Sequence, residues 1–126
     1  MTDEELYLLQ KDMGGRFRNG VVVKYYNEHY IGYIVGVDEC QVDVYDREEN
    51  TPYFVRWDDF KPYLRPMSSM TEDERKEYVS LLEMCQCGDI YEYEVVDWLN
   101  EHHFDYRGLI DKGLAIAVTE ENNPYN

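Results

Sequence analysis

Residues 21–57 read VVVKYYNEHYIGYIVGVDECQVDVYDREENTPYFVRW, and this segment sets the architecture of the chain. It is rich in β-branched and aromatic residues, which favour strands, and short polar segments interrupt it. The pattern predicts four or five short strands, at residues 21–26, 30–37, 40–45, 53–57 and 61–65, the last ended by Pro66. Asp58, Asp59 and Phe60 suit a single 3₁₀ turn before the last of them.

Consecutive short antiparallel strands of this kind cannot bury both faces as a flat sheet, so they tend to curl into a small barrel. A one-turn helix before the final strand is typical of SH3-like barrels. We therefore expect an α+β protein built on a small SH3-like antiparallel β-barrel. An open meander packed against the helices is the alternative.

A short N-terminal helix is predicted to precede the strands. Thr2 and Glu5 have the spacing of a capping box, and an apolar stripe with helical periodicity follows them. Gly14 and Gly15 are expected to end the helix, because glycine is common just past a helix C-terminus. Residues 1–66 are thus predicted to form the N-terminal helix plus the SH3-like barrel.

Residues 67–126 are predicted to form an acidic helical module. Thr71 and Glu74 make a second capping box, and Gly88 ends the helix that this box starts. The side of this helix that is expected to pack inward carries Tyr78, Leu81, Leu82 and Cys85. A second helix is predicted over residues 92–103, with Val95, Trp98, Leu99 and His102 on its apolar stripe.

The last part of the chain has weaker signals. Alternation in LAIAV at residues 114–118 suggests a short strand or an extended tail, and residues 120–126 are expected to fray. A module of two modest helices buries too little surface to be stable alone. We therefore expect it to pack on the barrel and to form one compact unit with it.

Acidic residues dominate the chain, with 27 Asp and Glu against 12 Lys and Arg and a net charge of −15. Residues 1–66 hold 13 acidic and 8 basic residues, a net of −5, and residues 67–126 hold 14 and 4, a net of −10. A field of this sign repels nucleic acid and anionic membranes and favours a basic partner. We therefore expect no direct binding to nucleic acid or to membranes.

The sequence also indicates a compartment. No apolar run approaches the roughly 18–20 residues that a membrane span needs. The N-terminal residues MTDEELYLLQ lack the basic region and the long apolar stretch of a signal peptide. Three cysteines, Cys40, Cys85 and Cys87, make a poor disulfide framework because their number is odd. These features predict a cytoplasmic protein.

Neither a metal site nor a catalytic site is evident. Cys85, Cys87, His102 and His103 are four potential zinc ligands, but zinc sites usually space their paired cysteines and histidines more widely. No serine lies in a nucleophile elbow, and the glycines match no phosphate-binding loop. We expect no metal, no cofactor and no enzymatic activity; an enzyme whose site the sequence does not reveal is the second alternative to a binding function.

The strand region holds more aromatic side chains than a small core can bury, and alternation points about half of them outward. Exposed Tyr and Trp beside carboxylates suit a basic or proline-rich peptide, through stacking, cation–π contact and charge pairing. The candidate partner-binding residues here are Tyr30, Tyr33, Tyr53, Trp57, Asp58 and Asp59. The competing interpretation is that these rings lie along the barrel with only their hydroxyls in water.

A second candidate surface is an acidic row on the second helix of the module. Glu94, Asp97 and Glu101 recur there at i, i+3 and i+7. Such a row could present charge in the manner of DNA phosphates. The alternative function is thus an acidic DNA mimic that inhibits a host nuclease or another nucleic-acid-binding protein. An acidic surface that only keeps the protein soluble is the simpler interpretation.

Two segments carry a resemblance, KPYLRPMSSMTEDER at residues 61–75 and DWLNEHHFDYRGLIDKGLAIAV at residues 97–118. Over these segments the chain resembles uncharacterised small proteins of phages and mobile elements of gut Bacteroidetes. The resemblance implies a small accessory gene product in a bacterial host and implies nothing about catalysis. We therefore expect a non-enzymatic accessory protein that binds a protein partner, one that is basic or itself binds nucleic acid.

Overall fold

A computed structural model describes residues 1–125, and each strand expected within residues 21–65 is present there. The helices are α1 (Asp3–Arg16), α2 (Glu72–Gln86) and α3 (Glu92–Glu101). The strands are β1 (Val22–Tyr25), β2 (Tyr30–Val37), β3 (Gln41–Asp46), β4 (Pro52–Arg56), β5 (Phe60–Pro66), β6 (Phe104–Asp105) and β7 (Ile116–Ala117). No helix within residues 1–125 is both long and apolar enough to cross a membrane.

All the strands belong to one mixed sheet of seven strands within residues 1–125. The antiparallel part has the order β4-β3-β2-β1-β5, and β6 and β7 each pair with β5 in parallel. In the described part of the chain, β4 and β6 lie at opposite ends of the strand order and no pairing joins them. The sheet is therefore open, although its meander follows the expected sequence of strands.

The structure is thus α+β, as expected, but a closed SH3-like barrel is not confirmed. The reason lies in how β5 is paired. Residues 60–62 pair with β1, Tyr63 and Leu64 pair with β7, and Arg65 and Pro66 pair with β6. Within residues 1–125, β5 therefore pairs with β1, β6 and β7 and not with β4, whose pairing would close the sheet.

The main core lies between the inner face of the meander and α1. Alternation along the strands directs Val23, Tyr25, Ile34, Val42, Val44 and Val55 to this face, where all of them are buried. Leu9 and Met13 of α1 cover them, and Leu109 and Ala115 complete the cluster. Side chains from residues 67–126 are therefore part of the core that the meander builds.

α1 does not end at Gly14 and Gly15, as the sequence suggested, but continues to Arg16. The Arg16 side chain is fully buried and lies 2.8 Å from the Asp12 carboxylate, one turn earlier. Its Nη1 also donates to the carbonyl of Phe104 at 2.8 Å. These contacts outweigh the cost of placing glycine in a helix, which is about 1 kcal/mol per residue relative to alanine.

α2 and α3 pack against each other through a second apolar cluster. The indole of Trp98 stacks on the ring of Tyr78 at 5.8 Å and on that of Phe104 at 5.9 Å, measured between centroids. Tyr78, Leu81 and Cys85 pack into this cluster as expected. Leu82 does not; it is 37 % exposed, because the contact of α2 with α3 buries only a narrow stripe.

The chain after α3 is shaped by tertiary contacts that the sequence pattern did not reveal. α3 ends at Glu101 rather than at His103, because His103 takes a left-handed φ of 63° that turns the chain into β6. β6 itself was not expected. The short strand expected within residues 114–118 is confirmed as β7.

The C-terminal tail is docked over its described part. Tyr125 Oη accepts a hydrogen bond from the Val22 N–H at 3.1 Å and donates one to the Tyr63 carbonyl at 2.7 Å. The fraying expected for residues 120–126 is therefore wrong at Tyr125, and Asn126 lies outside the described residues.

Candidate functional site

The turn between β1 and β2 is the most strained segment of the sheet. Tyr26, Asn27 and Glu28 have φ values of 51°, 60° and 64°, a left-handed conformation that costs a residue other than glycine about 1 kcal/mol or more. Tyr26 is held from two sides: its N–H donates to the Asp59 carbonyl at 2.9 Å, and its hydroxyl donates to the Phe54 carbonyl at 3.2 Å. Neighbouring strands therefore fix the turn, and with it the direction of the Tyr26 ring.

A small hollow on one side of this turn is lined mainly by tyrosines. We call it the tyrosine pocket; it has a volume of about 110 Å³ and is lined by Tyr25, Tyr26, Tyr30, Tyr53 and Glu49. Tyr25 is buried and forms its floor, while Tyr26 and Tyr30 are 37 % and 47 % exposed and form its rim. The Tyr26 and Tyr30 rings are nearly perpendicular, at 89° with centroids 6.2 Å apart, so they form a corner.

Two carboxylates hold the hydroxyls of this pocket. Tyr25 donates to Asp46, and Tyr53 donates to Glu49. Burial, followed by the bond to Asp46, raises the pKa of Tyr25 above its ordinary range, and the bond to Glu49 raises the pKa of Tyr53 to about 12. The bond from Tyr25 lowers the pKa of Asp46, which also accepts the Glu48 N–H at 2.9 Å. At neutral pH both phenols are therefore protonated and Asp46 is charged.

A wider cleft lies on the other side of the same turn. We call it the aspartate cleft; it has a volume of about 360 Å³ and is lined by Lys24, Asn27, Glu28, Asp58, Asp59, Phe60 and Lys61. Asp58 and Asp59 lie in a tight turn closed by an i to i+3 hydrogen bond, from the Asp59 N–H to the Arg56 carbonyl at 3.0 Å. The single turn expected over residues 58–60 thus lies earlier, because Phe60 already belongs to β5. Asp58 lies 3.6 Å from the Arg56 side chain, an exposed pair that contributes little to stability.

The structure separates the aromatic residues that the sequence grouped together. Tyr30 and Tyr53 line the tyrosine pocket. Tyr33 is an odd number of residues from Tyr30 along β2, so it points to the outer face, where its ring lies 5.5 Å from that of Tyr45. Trp57 is not available to a partner: it is 5 % exposed.

Trp57 is buried for a clear physical reason. Its indole packs into the main core at 5.6 Å from the Phe60 ring, between centroids, and its Nε1 donates to the Asp38 carbonyl at 2.8 Å. The indole therefore has both an apolar environment and a partner for its N–H, as buried Trp requires. Its assignment as a partner-binding residue is corrected accordingly.

Tyr25, Tyr26 and Glu49 were not among the expected site residues. Strand alternation could not have found Tyr26, because β1 ends at Tyr25 and Tyr26 takes the left-handed conformation of the turn. Glu49 lies in the polar loop between β3 and β4, and only the fold brings it to Tyr53.

The acidic row of α3 does not join the pocket or the cleft. Glu94, Asp97 and Glu101 are all exposed, as their spacing predicted, and none of them lines either hollow. The Glu94 carboxylate already accepts the Tyr91 N–H at 2.8 Å and so caps α3. The acidic row is thus a surface separate from the pocket and the cleft, and its first residue, Glu94, also stabilises the start of α3.

A third hollow, an open groove of about 670 Å³, contains Arg65, Glu101, His102 and His103. Burial lowers the pKa of His103 to about 4, so its ring is neutral at pH 7. The ring stacks on Tyr125 with centroids 3.7 Å apart, and its Nδ1 is buried without a hydrogen-bond partner in residues 1–125. A nitrogen covered in this way cannot reach a substrate in the groove.

The four potential zinc ligands do not converge. Cys85 is half-buried in the α2–α3 cluster, whereas Cys87 is exposed. The His102 ring lies 4.3 Å from that of Trp98, between centroids, and its Nδ1 is 2.8 Å from the Trp98 carbonyl. Within residues 1–125, no group of three or more His, Cys, Asp or Glu side chains is placed to hold a metal ion.

What the chain can bind must be argued from its own geometry and charge. No protein-family model, curated protein or solved structure matches it.

Proposed function

We propose that the chain is a non-enzymatic, cytoplasmic accessory protein of a phage or mobile element that binds a basic protein partner. The binding surface is the end of the sheet around the β1–β2 turn. One observation carries the proposal: the tyrosine pocket and the aspartate cleft flank this single turn, so exposed aromatic rings and carboxylates meet there. Aromatic side chains next to carboxylates are the groups that recognise Lys and Arg.

The charges of this surface support a basic partner. Within residues 1–125, no basic side-chain nitrogen lies within 4.0 Å of a carboxylate oxygen of Asp46, Glu49 or Asp59. Lys61 lies 4.0 Å from Glu28, an exposed contact that a stronger partner can displace. The net charge of −15 adds long-range attraction for any basic protein.

The test is a titration with a fluorescently labelled, lysine- and arginine-rich peptide, followed by anisotropy over a series of salt concentrations. We expect binding that weakens as salt rises and that the double substitution Asp58→Asn with Asp59→Asn reduces severalfold. The matched control is Asp97→Asn with Glu101→Gln, which removes the same charge from α3. Equal losses in the two double variants would mean that only net charge matters, and the proposed surface would be wrong.

The acidic DNA mimic remains the alternative, because all three carboxylates of the α3 row are exposed. At about 1.5 Å rise per residue, the row from Glu94 to Glu101 spans roughly 10 Å of helix. A partner of this class would be released by added duplex DNA, and the substitutions in α3 would weaken its binding while those at Asp58 and Asp59 would not. A captured partner that responds to duplex DNA and to these substitutions in this way would favour the DNA mimic over the proposed binding surface.

Two further proposals concern the fold and the enzyme alternative. We propose that the meander has an SH3-like strand arrangement, because its last long strand, β5, returns to pair with β1. The second alternative is an enzyme, for which the open groove lined by Arg65, Glu101 and His102 is one place for a substrate.

A further inference from the structure

The tyrosine pocket has the size of one head group. Its volume of about 110 Å³ is the smallest of the three hollows described above. The hollow is less than a third of the size of the aspartate cleft, so it suits the end of one side chain rather than a long segment. The pocket is therefore suited to a single terminal group with the carbons next to it.

The rings of the pocket are arranged for a rounded cation. The Tyr26 and Tyr30 rings pack edge to face, and the Tyr25 ring contacts both, at 5.1 Å from Tyr26 and 5.6 Å from Tyr30 between centroids. The Tyr53 ring lies 6.2 Å from that of Tyr25, and the pocket lies among these four rings. A cation within about 6 Å of a ring centroid is attracted by the electrons of its face. Several rings around one small space add these attractions together.

No cation of the chain occupies this position in residues 1–125. The cation–π contacts there pair Arg16 and Arg107 with Tyr106, Arg18 with Phe17, Lys24 with Tyr63, and Arg65 with Phe104. The chain thus uses its basic residues on other rings and leaves those of the pocket free. A cation that contacts the rings of the pocket would therefore come from another molecule.

The carboxylates add charge complementarity. The hydroxyls of Tyr25 and Tyr53 each donate a hydrogen bond to a carboxylate, of Asp46 and of Glu49, which makes the rings richer in electrons. Glu49 lines the pocket itself and brings its charge to the bound group. An anion is repelled at this site, and a neutral group gains none of the cation–π attraction.

We propose, building on the function proposed above, that the tyrosine pocket binds an alkylammonium group, the head of a lysine side chain of the partner. A guanidinium is flat and prefers a carboxylate that is free to accept two parallel hydrogen bonds. Both carboxylates here already accept a tyrosine hydroxyl, so a compact ammonium head is favoured. Lysine and its N-methylated forms share this chemistry.

The experiment is a titration followed by NMR of the tyrosine ring signals, with four small molecules as ligands. These are n-butylammonium, tetramethylammonium, n-butylguanidinium and the neutral 1-butanol. We expect both ammonium ions to shift the Tyr30 and Tyr53 signals with saturation, the guanidinium to bind more weakly, and butanol to produce no saturable shift. Butanol shifts equal to those of n-butylammonium would overturn the proposal, since the site would then be merely apolar.

A matched pair of variants locates the site. Tyr30→Leu keeps an apolar side chain at the exposed rim but removes one ring face, and it should weaken n-butylammonium binding about fivefold. Tyr91→Leu makes the same substitution at a ring near the start of α3 that is 71 % exposed, against 47 % for Tyr30, and should leave the binding unchanged. Unchanged binding in a folded Tyr30→Leu protein would exclude the tyrosine pocket as the site.

The same variants separate this inference from the function on which it rests. If the basic peptide binds and Asp58→Asn with Asp59→Asn reduces its affinity, but Tyr30→Leu does not, the pocket inference fails and the proposed function stands. If n-butylammonium binds in the pocket but no basic peptide binds, the inference stands and the proposed function fails. Two peptides that carry lysine or trimethyllysine at one position are then compared. The peptide that binds more tightly identifies the head group that the pocket takes.

Discussion

At the scale of single residues, Glu74 performs two tasks with one carboxylate. It accepts two hydrogen bonds from Arg65, at 2.8 Å from Nη1 and 2.6 Å from Nη2. It also accepts the Thr71 N–H at 2.9 Å as part of the capping box that starts α2. The bonds from Arg65 lower the pKa of Glu74 to about 2, from an ordinary value of 4.5. One residue thereby connects the start of α2 to β5.

Glu74→Gln should lower the free energy of unfolding at pH 7 by roughly 2 kcal/mol, because glutamine keeps the capping box but not the charge that Arg65 binds. Since the pKa of the folded state lies below the ordinary value, this stabilisation is present above pH 4.5 and disappears as the pH falls toward 2. Urea unfolding at several pH values measures it. Glu72→Gln is the control, and it should lower the free energy of unfolding by less than about 0.5 kcal/mol. A Glu74→Gln protein that is still less stable than the unchanged chain by the same amount at pH 2 would contradict the prediction.

Trp57 and Phe54 lie three residues apart and have opposite environments, since Phe54 is 69 % exposed and Trp57 is buried. Trp57→Phe should lower the free energy of unfolding by about 2 kcal/mol, because it leaves a cavity and removes the bond to the Asp38 carbonyl. Phe54→Leu should change it by less than about 0.5 kcal/mol. Thermal and urea unfolding measure both, and peptide affinity should be unchanged in Trp57→Phe. Lost affinity with unchanged stability would restore Trp57 as a binding residue.

At the scale of elements, β2 depends on a glycine for its fit to β3. A Cβ atom at Gly32 would lie 2.6 Å from the Tyr45 carbonyl oxygen and 2.6 Å from Val44 Cγ1, so a side chain there displaces the neighbouring strand. Gly14 in α1 is the opposite case, because an added methyl group would have nothing within 4 Å of it.

Gly32→Ala should therefore lower the free energy of unfolding by about 1–3 kcal/mol through overpacking. Gly14→Ala should raise it by about 0.5–1 kcal/mol, because alanine is the better helix former. Chemical unfolding of the two variants measures both effects with one kind of substitution. Equal effects of the same sign would show that β3 yields to the added methyl group.

At the scale of the whole molecule, the C-terminal residues hold distant elements together. The hydroxyl of Tyr125 joins β1 to β5 through Val22 and Tyr63, and Leu109 lies in the main core. β6 and β7 both pair with β5. Because the two parts of the chain share a core and a sheet, we expect them to unfold together.

Tyr125→Phe should lower the free energy of unfolding by about 1–2 kcal/mol, because the Val22 N–H and the Tyr63 carbonyl both lose a partner. Tyr93→Phe is the control: this ring is 61 % exposed, and its substitution should have little effect. Circular dichroism and tyrosine fluorescence should report the same unfolding midpoint in both variants. Separate midpoints would show that the two parts of the chain are independent.

The candidate site was only partly predictable. Tyr30 and Tyr53 could be named from alternation and composition, because exposed rings are expected where a small core is full. Glu49 could not, because its contact with Tyr53 depends on the shape of the loop between β3 and β4. Trp57 was misjudged for the same kind of reason, since burial of one ring rather than another depends on which side α1 and the turns cover.

Sequence alone was enough for the features that depend on neighbours a few residues apart. These are the helix starts at Thr2 and Thr71, the five strands of the meander and the acidic surface. Tertiary contacts were needed to extend α1 to Arg16, to leave the sheet open and to bring the tyrosines together at one turn. Each of these depends on which distant group occupies a strand edge or covers a side chain, and no local stretch of sequence contains that information.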